Sequence, residues 1–106
     1  MRRIAITGVS GQWFDADKAD YYKEESYHDG RNFISKATNS QWEHEAIYIT
    51  VGSKFILNHW SNWQGSKDTY EIINKEEAAR WFAKQEFSDD EIPEILKKEV
   101  YNLEII

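Results

Sequence analysis

The residues best suited to contact a ligand are gathered in one stretch of the chain, positions 58–66. Two tryptophans stand there among amides, a histidine and serines. A Trp side chain offers a large apolar face and one N–H donor, so it can stack on a sugar or a base while neighbouring amides bind polar groups. We therefore predict a binding surface that includes Asn58, Trp60, Asn62, Trp63 and Gln64.

A second polar segment, 31–42, has a similar composition and ends in another tryptophan. If a strand begins near Glu43, then Trp42 lies at the same end of a β-hairpin as Trp60, opposite the turn. The alternative is that these tryptophans fill the core of a small domain. We predict that the contact surface is completed by Arg31, Asn32 and Trp42.

Three histidines, His28, His44 and His59, are weak candidates for metal ligands, and the chain has no cysteine. A two-residue type II′ turn at Gly52-Ser53 would make His44 and His59 diagonal neighbours on one face of a hairpin, from where both rings can reach one ion. A three-residue turn would place them on opposite faces. Because no pair has the spacing of an established metal motif, we expect neither a bound metal nor a cofactor.

No nucleophile motif accompanies the histidines. None of the serines stands in a Gly-x-Ser-x-Gly elbow, and the Gly8–Gly11 turn lacks the lysine of a phosphate-binding loop. The favoured interpretation is a small non-catalytic binding or interaction protein. Two alternatives stay open: a small hydrolase that depends on histidine or on a metal, and an acidic inhibitor that docks on the basic surface of a nucleic-acid-binding partner.

The charge of the chain narrows the range of partners. Its 106 residues carry 13 Lys and Arg against 19 Asp and Glu, a net charge of −6, with acids concentrated in 15–29 and 86–94. Nucleic-acid binding draws on Lys and Arg, so we expect no nucleic acid as partner. No apolar run could span a membrane and no signal segment is visible, which predicts a soluble cytoplasmic protein. The expected partner is another protein or a small polar ligand.

The middle of the chain predicts an antiparallel meander. Three β-rich runs, 45–51, 54–60 and 69–73, are separated by turn residues. The 3–9 run is predicted as a further strand that pairs with one edge of this meander. Of the remaining N-terminal half, we expect a short acidic helix over 15–25 and irregular structure over 26–41.

The C-terminal third predicts two helices. Asn74 followed three residues later by Glu77 has the spacing of a capping box, which starts the first helix. The second helix is predicted with Asp90 as its cap and Pro93 in its first turn.

Together these elements predict a single domain over 1–106 with an α+β fold: an antiparallel meander of about four strands with two C-terminal helices packed on one face. Periodicity predicts a core that contains Ile4, Ile6, Ile47, Ile49, Ile56, Phe82, Ile95 and Leu96.

Overall fold

A computed structural model describes all 106 residues and shows an α+β fold of eight antiparallel strands followed by two helices. The strands form one four-stranded sheet and two two-stranded sheets. Neither helix combines the length and apolarity that a membrane crossing demands. The elements are β1 Arg3–Ala5, β2 Trp13–Asp15, β3 Asp20–Lys23, β4 Ser26–His28, β5 Phe33–Ser35, β6 Glu43–Ile49, β7 Phe55–Ser61, β8 Thr69–Ile73, α1 Lys75–Lys84 and α2 Glu94–Tyr101.

The central sheet has the strand order β3-β6-β7-β8. Its two middle strands pair over their full length, from Glu43 opposite Ser61 to Ile49 opposite Phe55. Residues that lie opposite each other share a face, and faces alternate along each strand. We call the face that carries His44 and Tyr48 the hairpin face, and the face that carries Ile47 the helix face.

The helix face holds the larger part of the core, because α1 and α2 pack against it. The capping box predicted for α1 is confirmed: Asn74 Oδ1 accepts from the Glu77 N–H at 2.7 Å, and Glu77 Oε1 accepts from the Asn74 N–H at 3.3 Å. The buried apolar residues of this cluster are Ala37, Ile47, Ile49, Phe55, Ala78, Ala79, Trp81, Phe82 and Leu96.

The start of the second helix differs from the prediction. A short 3-10 turn, Asp89–Glu91, comes first, and Ser88 with Glu91 forms a capping box around it. The α-helix begins only at Glu94, with Pro93 as its N-cap residue, so Asp90 is not the cap. The cause is local: Pro93 keeps Ile92 extended, with ψ of 128°, because the proline ring disfavours the helical conformation of the residue before it.

The N-terminal half contains strands where a helix and irregular structure were predicted. The predicted helix 15–25 is replaced by the end of β2 and by β3, and segment 26–41 contains the hairpin of β4 and β5. The predicted strand 3–9 is shorter, and it pairs with β2 instead of the meander. The fourth strand of the central sheet is therefore β3, which pairs with β6.

The β1–β2 hairpin covers one half of the hairpin face. Phe14 packs on Tyr48 and Tyr70, with ring centroids 5.2 and 6.1 Å apart. The Thr7 N–H and hydroxyl bond to the backbone of Tyr70 on β8, which ties the small sheet to the edge of the central one. The other half of this face, which carries His44, stays uncovered by β1 and β2.

The turn between β6 and β7 has three residues, Val51–Ser53, and is not the predicted two-residue type II′ turn. The Ser53 N–H donates to the Thr50 carbonyl at 2.9 Å, and the positive φ, +61°, belongs to Ser53 and not to Gly52. A type I turn followed by one left-handed residue is the usual three-residue hairpin connection.

This turn shifts the pairing of β6 and β7 by one residue. His44 lies opposite Trp60, and Glu45 lies opposite His59. His44 and His59 therefore project from opposite faces of the sheet, which removes the arrangement that could have held a metal between them.

Seven of the eight predicted core residues are buried or half-buried. The exception is Ile95, which is 37% exposed on α2, whereas the neighbouring Leu96 is fully buried. The helix starts later than predicted, and its buried face is centred on Leu96.

Candidate functional site

The candidate site lies at the end of β6 and β7 opposite their turn, on the uncovered half of the hairpin face. His44 and Trp60 face each other there as a cross-strand pair. Their rings stack with centroids 5.6 Å apart and an angle of 27° between planes. The stacking fixes the plane of the imidazole.

One imidazole nitrogen is bound by a buried carboxylate. Glu24, which follows directly after β3, has a side chain only 4% exposed, and its Oε2 lies 2.7 Å from His44 Nδ1. Its other oxygen, Oε1, accepts from the Ser35 hydroxyl at 2.7 Å and from the Glu45 N–H at 2.6 Å. An ionised carboxylate has no hydrogen to donate, so His44 Nδ1 carries the proton.

The second imidazole nitrogen is bound by an amide. Asn62 Nδ2 lies 2.9 Å from His44 Nε2, and with the proton on Nδ1 this nitrogen is the acceptor. The result is a continuous chain of hydrogen bonds from Ser35 through Glu24 and His44 to Asn62. This arrangement places a basic imidazole nitrogen next to the solvent-exposed Asn62.

A cleft of about 380 Å³ opens beside this chain, between the central sheet and the β4–β5 hairpin. Phe33, which is 68% exposed, forms the wall on the hairpin side. Lys23 and Ser26 add an ammonium and a hydroxyl group at the rim, and both are exposed. The cleft therefore combines an aromatic wall with hydrogen-bonding groups of several kinds.

An exposed pair of tryptophans lies at the same end of β6 and β7. The rings of Trp42 and Trp63 are 4.9 Å apart with 35° between their planes, and the residues are 42% and 58% exposed. Their backbones are held by Ser40 Oγ, which accepts from the Trp42 N–H at 3.0 Å, and by Ser61 Oγ, which accepts from the Trp63 N–H at 3.1 Å. The Asn62 N–H donates to the Trp42 carbonyl at 2.9 Å, which connects this pair to the cleft.

The structure therefore brings together Trp42, Trp60, Asn62 and Trp63. It places Asn58 elsewhere: this residue is 5% exposed inside the sheet, and its Nδ2 donates to the Thr69 carbonyl at 3.2 Å. The hydrogen bond to β8 gives Asn58 a packing role away from the exposed surface. Gln64 is exposed in the loop after β7.

Arg31 and Asn32 lie in the turn between β4 and β5 and do not line the cleft. Both donate their backbone N–H to Asp29 Oδ1, at 2.9 and 2.8 Å. These two bonds, that of Asn32 first, lower the pKa of the Asp29 carboxyl. Arg31 and Asn32 themselves are exposed at the turn.

The three histidines have separate environments. His59 Nε2 lies 3.2 Å from Glu43 Oε2 on the helix face, whereas His28 packs against Phe33 and accepts from the Gly30 N–H through Nδ1. No group of three or more His, Asp or Glu side chains converges as metal ligands would.

The two acidic segments of the sequence lie next to each other in the structure. The Glu86 N–H donates to Glu25 Oε1, which joins segment 15–29 to segment 86–94. Their acidity is not all presented to solvent, because Glu24 is buried against His44 and Glu86 pairs with Lys36 at 2.7 Å.

Glu24 and Ser35 are the site residues that sequence reasoning missed. The sequence predicts a helix at Glu24 and irregular structure at Ser35. Only the pairing of β3 with β6, and of β4 with β5, brings both to His44. The single sequence signal was the unusual density of tyrosines before Glu24, which suits a strand better than a helix.

Comparison of the chain with protein-family models, with curated proteins and with solved structures found no match.

Proposed function

We propose that the protein is a binding protein that holds a polar ring compound, a carbohydrate in the first place, on the tryptophan pair and the adjoining cleft. The observation that carries this proposal is that the Trp42 and Trp63 rings lie 4.9 Å apart and yet remain 42% and 58% exposed. Each ring buries part of its partner, but the outer faces form an apolar patch in contact with water.

Keeping this apolar area in contact with water is unfavourable in free energy. Contiguous exposed apolar patches therefore tend to mark sites where a ligand or partner binds. The pair contributes little to the core, since both main clusters of buried residues exclude Trp42 and Trp63. Indole faces stack on the C–H faces of sugar rings, and Trp offers this area with little loss of side-chain freedom.

The groups beside the pair favour a hydroxylated ligand over an anionic polymer. Asn62 presents an amide and Ser26 a hydroxyl, while Lys23 is the one cation that lines the cleft. A single lysine does not supply the phosphate contacts that nucleic-acid binding requires. Amide and hydroxyl groups, by contrast, both donate and accept, as binding of sugar hydroxyls demands.

The test is an NMR titration of the ¹⁵N-labelled protein with soluble oligosaccharides, namely cellotriose, chitotriose and maltotriose. The five indole N–H cross-peaks report on each tryptophan separately. We expect one saccharide to shift the Trp42, Trp63 and Trp60 signals in a saturable way, with loss of binding in Trp42→Ala and Trp63→Ala. Trp13→Ala removes a tryptophan of similar exposure, 48%, from β2 and serves as the matched control.

The proposal fails if the saccharides leave these indole signals unchanged, or if Trp13→Ala weakens binding as much as Trp63→Ala does. Shifts confined to a mixture with another protein would assign the surface to a protein partner and would also overturn the carbohydrate assignment.

A second candidate function, acid–base catalysis, is favoured by one observation: the buried Glu24 carboxylate lies 2.7 Å from His44 Nδ1. In hydrolases a carboxylate in this position orients the imidazole so that Nε2 acts as the base. Hydrolysis of p-nitrophenyl acetate tests it. A rate that falls in His44→Gln and is unchanged in His59→Gln supports catalysis, and equal rates for wild type and His44→Gln exclude it.

A further inference from the structure

The hydrogen bonds of His44 depend on whether its ring carries one proton or two. In the neutral ring, Nδ1 donates to Glu24 and Nε2 accepts from the Asn62 amide, at 2.7 and 2.9 Å. A second proton goes to Nε2, because this is the ring nitrogen without one, and both nitrogens are then donors. Glu24 accepts from Nδ1 in either form, so the contact with Asn62 is the one that protonation changes.

The Asn62 side chain is able to satisfy both forms of the ring. Its amide has a donor end, Nδ2, and an acceptor end, Oδ1. Nδ2 contacts the neutral imidazole, and since Asn62 is exposed, Oδ1 is the end available to a ligand. An imidazolium Nε2–H requires Oδ1 instead, and a half-turn of the amide exchanges the two ends. The group that Asn62 presents to the cleft then changes from an acceptor to a donor.

The charge balance of the cleft changes at the same time. Lys23 and Glu24 are the charged residues that line it, and the side chains from β4, β5 and the end of β7 are uncharged. Glu43 and Glu45, the neighbours of His44 on β6, project from the opposite face of the sheet. With a neutral His44, one cation therefore balances one buried carboxylate. Protonation of His44 adds a positive charge that no other residue of the lining balances.

We propose that protonation of His44 makes this cleft selective for a sugar that carries a carboxylate, a uronic acid, with Asn62 Nδ2 donating to that carboxylate. Lys23 and the imidazolium supply the positive charge. The inference rests on the proposed function, since it specifies which sugar the same site binds and in which range of pH. A neutral sugar does not distinguish the two forms, because each hydroxyl both donates and accepts. Histidine side chains change charge between about pH 5 and 8, so the selectivity belongs to mildly acidic solution.

The first experiment follows the switch without a ligand, by NMR of the full ¹⁵N-labelled chain between about pH 8 and about pH 5. At the higher pH we expect a scalar coupling between Asn62 Nδ2 and His44 Nε2, which an N–H···N hydrogen bond transmits. At the lower pH this coupling should vanish, and the Asn62 side-chain signals should titrate together with those of the His44 ring. His44→Gln should remove the transition at Asn62. His28→Gln is the matched control, because His28 contacts Phe33 but does not line the cleft, and the transition should persist.

The second experiment titrates the protein with sodium methyl β-D-glucuronate and, separately, with methyl β-D-glucoside, its neutral counterpart. The Trp60 indole signal reports binding. We expect the affinity for the glucuronide to rise several-fold from about pH 8 to about pH 5, and the affinity for the glucoside to stay the same. His44→Gln should abolish the rise, and His28→Gln should retain it.

The proposal is overturned if the coupling between Asn62 Nδ2 and His44 Nε2 persists at the lower pH, or if the glucuronide binds no better there than at the higher pH. A rise that is retained in His44→Gln also overturns it, since another group would then be the switch. The carbohydrate proposal fails on a different observation, namely unchanged Trp42 and Trp63 signals with the neutral trisaccharides at a single pH. The two failures are therefore distinguishable.

Discussion

The carboxylate of Glu24 and the imidazole of His44 are 2.7 Å apart, although Glu24 follows β3, His44 lies on β6, and the whole β4–β5 hairpin separates them along the chain. The pair is held on both sides. Ser35 and the Glu45 backbone bind the carboxylate, and Asn62 with Trp60 fixes the imidazole.

We predict that Glu24→Gln reverses the tautomer of His44. The glutamine oxygen would keep the bonds from Ser35 and Glu45, so its amide would face His44 Nδ1 as a donor, and the ring proton would move to Nε2. Imidazole ¹⁵N chemical shifts measure this directly. The loss of charge-assisted hydrogen bonds should lower the free energy of unfolding by about 1.5–3 kcal/mol.

Glu86→Gln is the matched control for that change, because its carboxylate is 82% exposed and pairs only with Lys36. Its effect on stability should be within about 0.5 kcal/mol. An unchanged His44 tautomer in Glu24→Gln would contradict the proton placement that we derive.

The tryptophan pair should contribute little to stability. For Trp42→Ala and Trp63→Ala we expect a loss of about 0.5–1.5 kcal/mol each, the worth of one aromatic contact. Trp81→Ala removes a side chain from the core and should cost about 3–5 kcal/mol. Urea unfolding of the three variants compares them, and a loss of several kcal/mol for Trp63→Ala would mean that the pair is packing.

Two neighbouring residues of α2 test the packing of the helix. Leu96 is fully buried, so Leu96→Ala should cost about 2–5 kcal/mol. Ile95 is 37% exposed, and Ile95→Ala should cost about 1 kcal/mol. Thermal or urea unfolding of both variants shows whether Leu96→Ala loses more stability than Ile95→Ala. The reverse order would show that the helix is rotated about its axis.

The turn between β6 and β7 gives a prediction that separates two registers. Ser53 has a φ of +61°, so Ser53→Gly should stabilise the protein by about 1 kcal/mol. Gly52 has an ordinary φ, and a Cβ there would meet only Thr50 Oγ1 at 3.9 Å, so Gly52→Ala should be tolerated. In a type II′ turn the same change would be costly, so a marked loss of stability in Gly52→Ala would support the two-residue turn and would contradict the three-residue turn and its register.

Local signals predicted the helices and the long strands of this fold well. The capping box at Asn74 and Glu77 depends on residues three apart, and the alternation in β6 depends on neighbours. The type of turn was harder, because Gly52-Ser53 suits a two-residue turn by composition while the neighbouring Thr50 and Lys54 pair across a longer one. A difference of one residue there placed His44 and His59 on opposite faces of the hairpin.

The candidate site could be predicted only in part from the sequence. Its central contact, between Glu24 and His44, depends on the pairing of strands that are far apart in the chain. Trp42, Trp60, Asn62 and Trp63 were recognisable from composition. Nothing in the sequence around Glu24 indicates that its side chain is buried. The burial results from the pairing of β3 with the central sheet and from the contact with Ser35 of the β4–β5 hairpin. Edge strands with tyrosines on both faces lack the alternation that would identify them.

Glu24 Oε1 also holds Ser35, the last residue of β5, so the carboxylate that orients the imidazole is at the same time an anchor of the cleft wall. The wall cannot swing outward without releasing a bond on that carboxylate. The position of the cleft wall and the orientation of the imidazole are therefore linked through the two oxygens of one carboxylate.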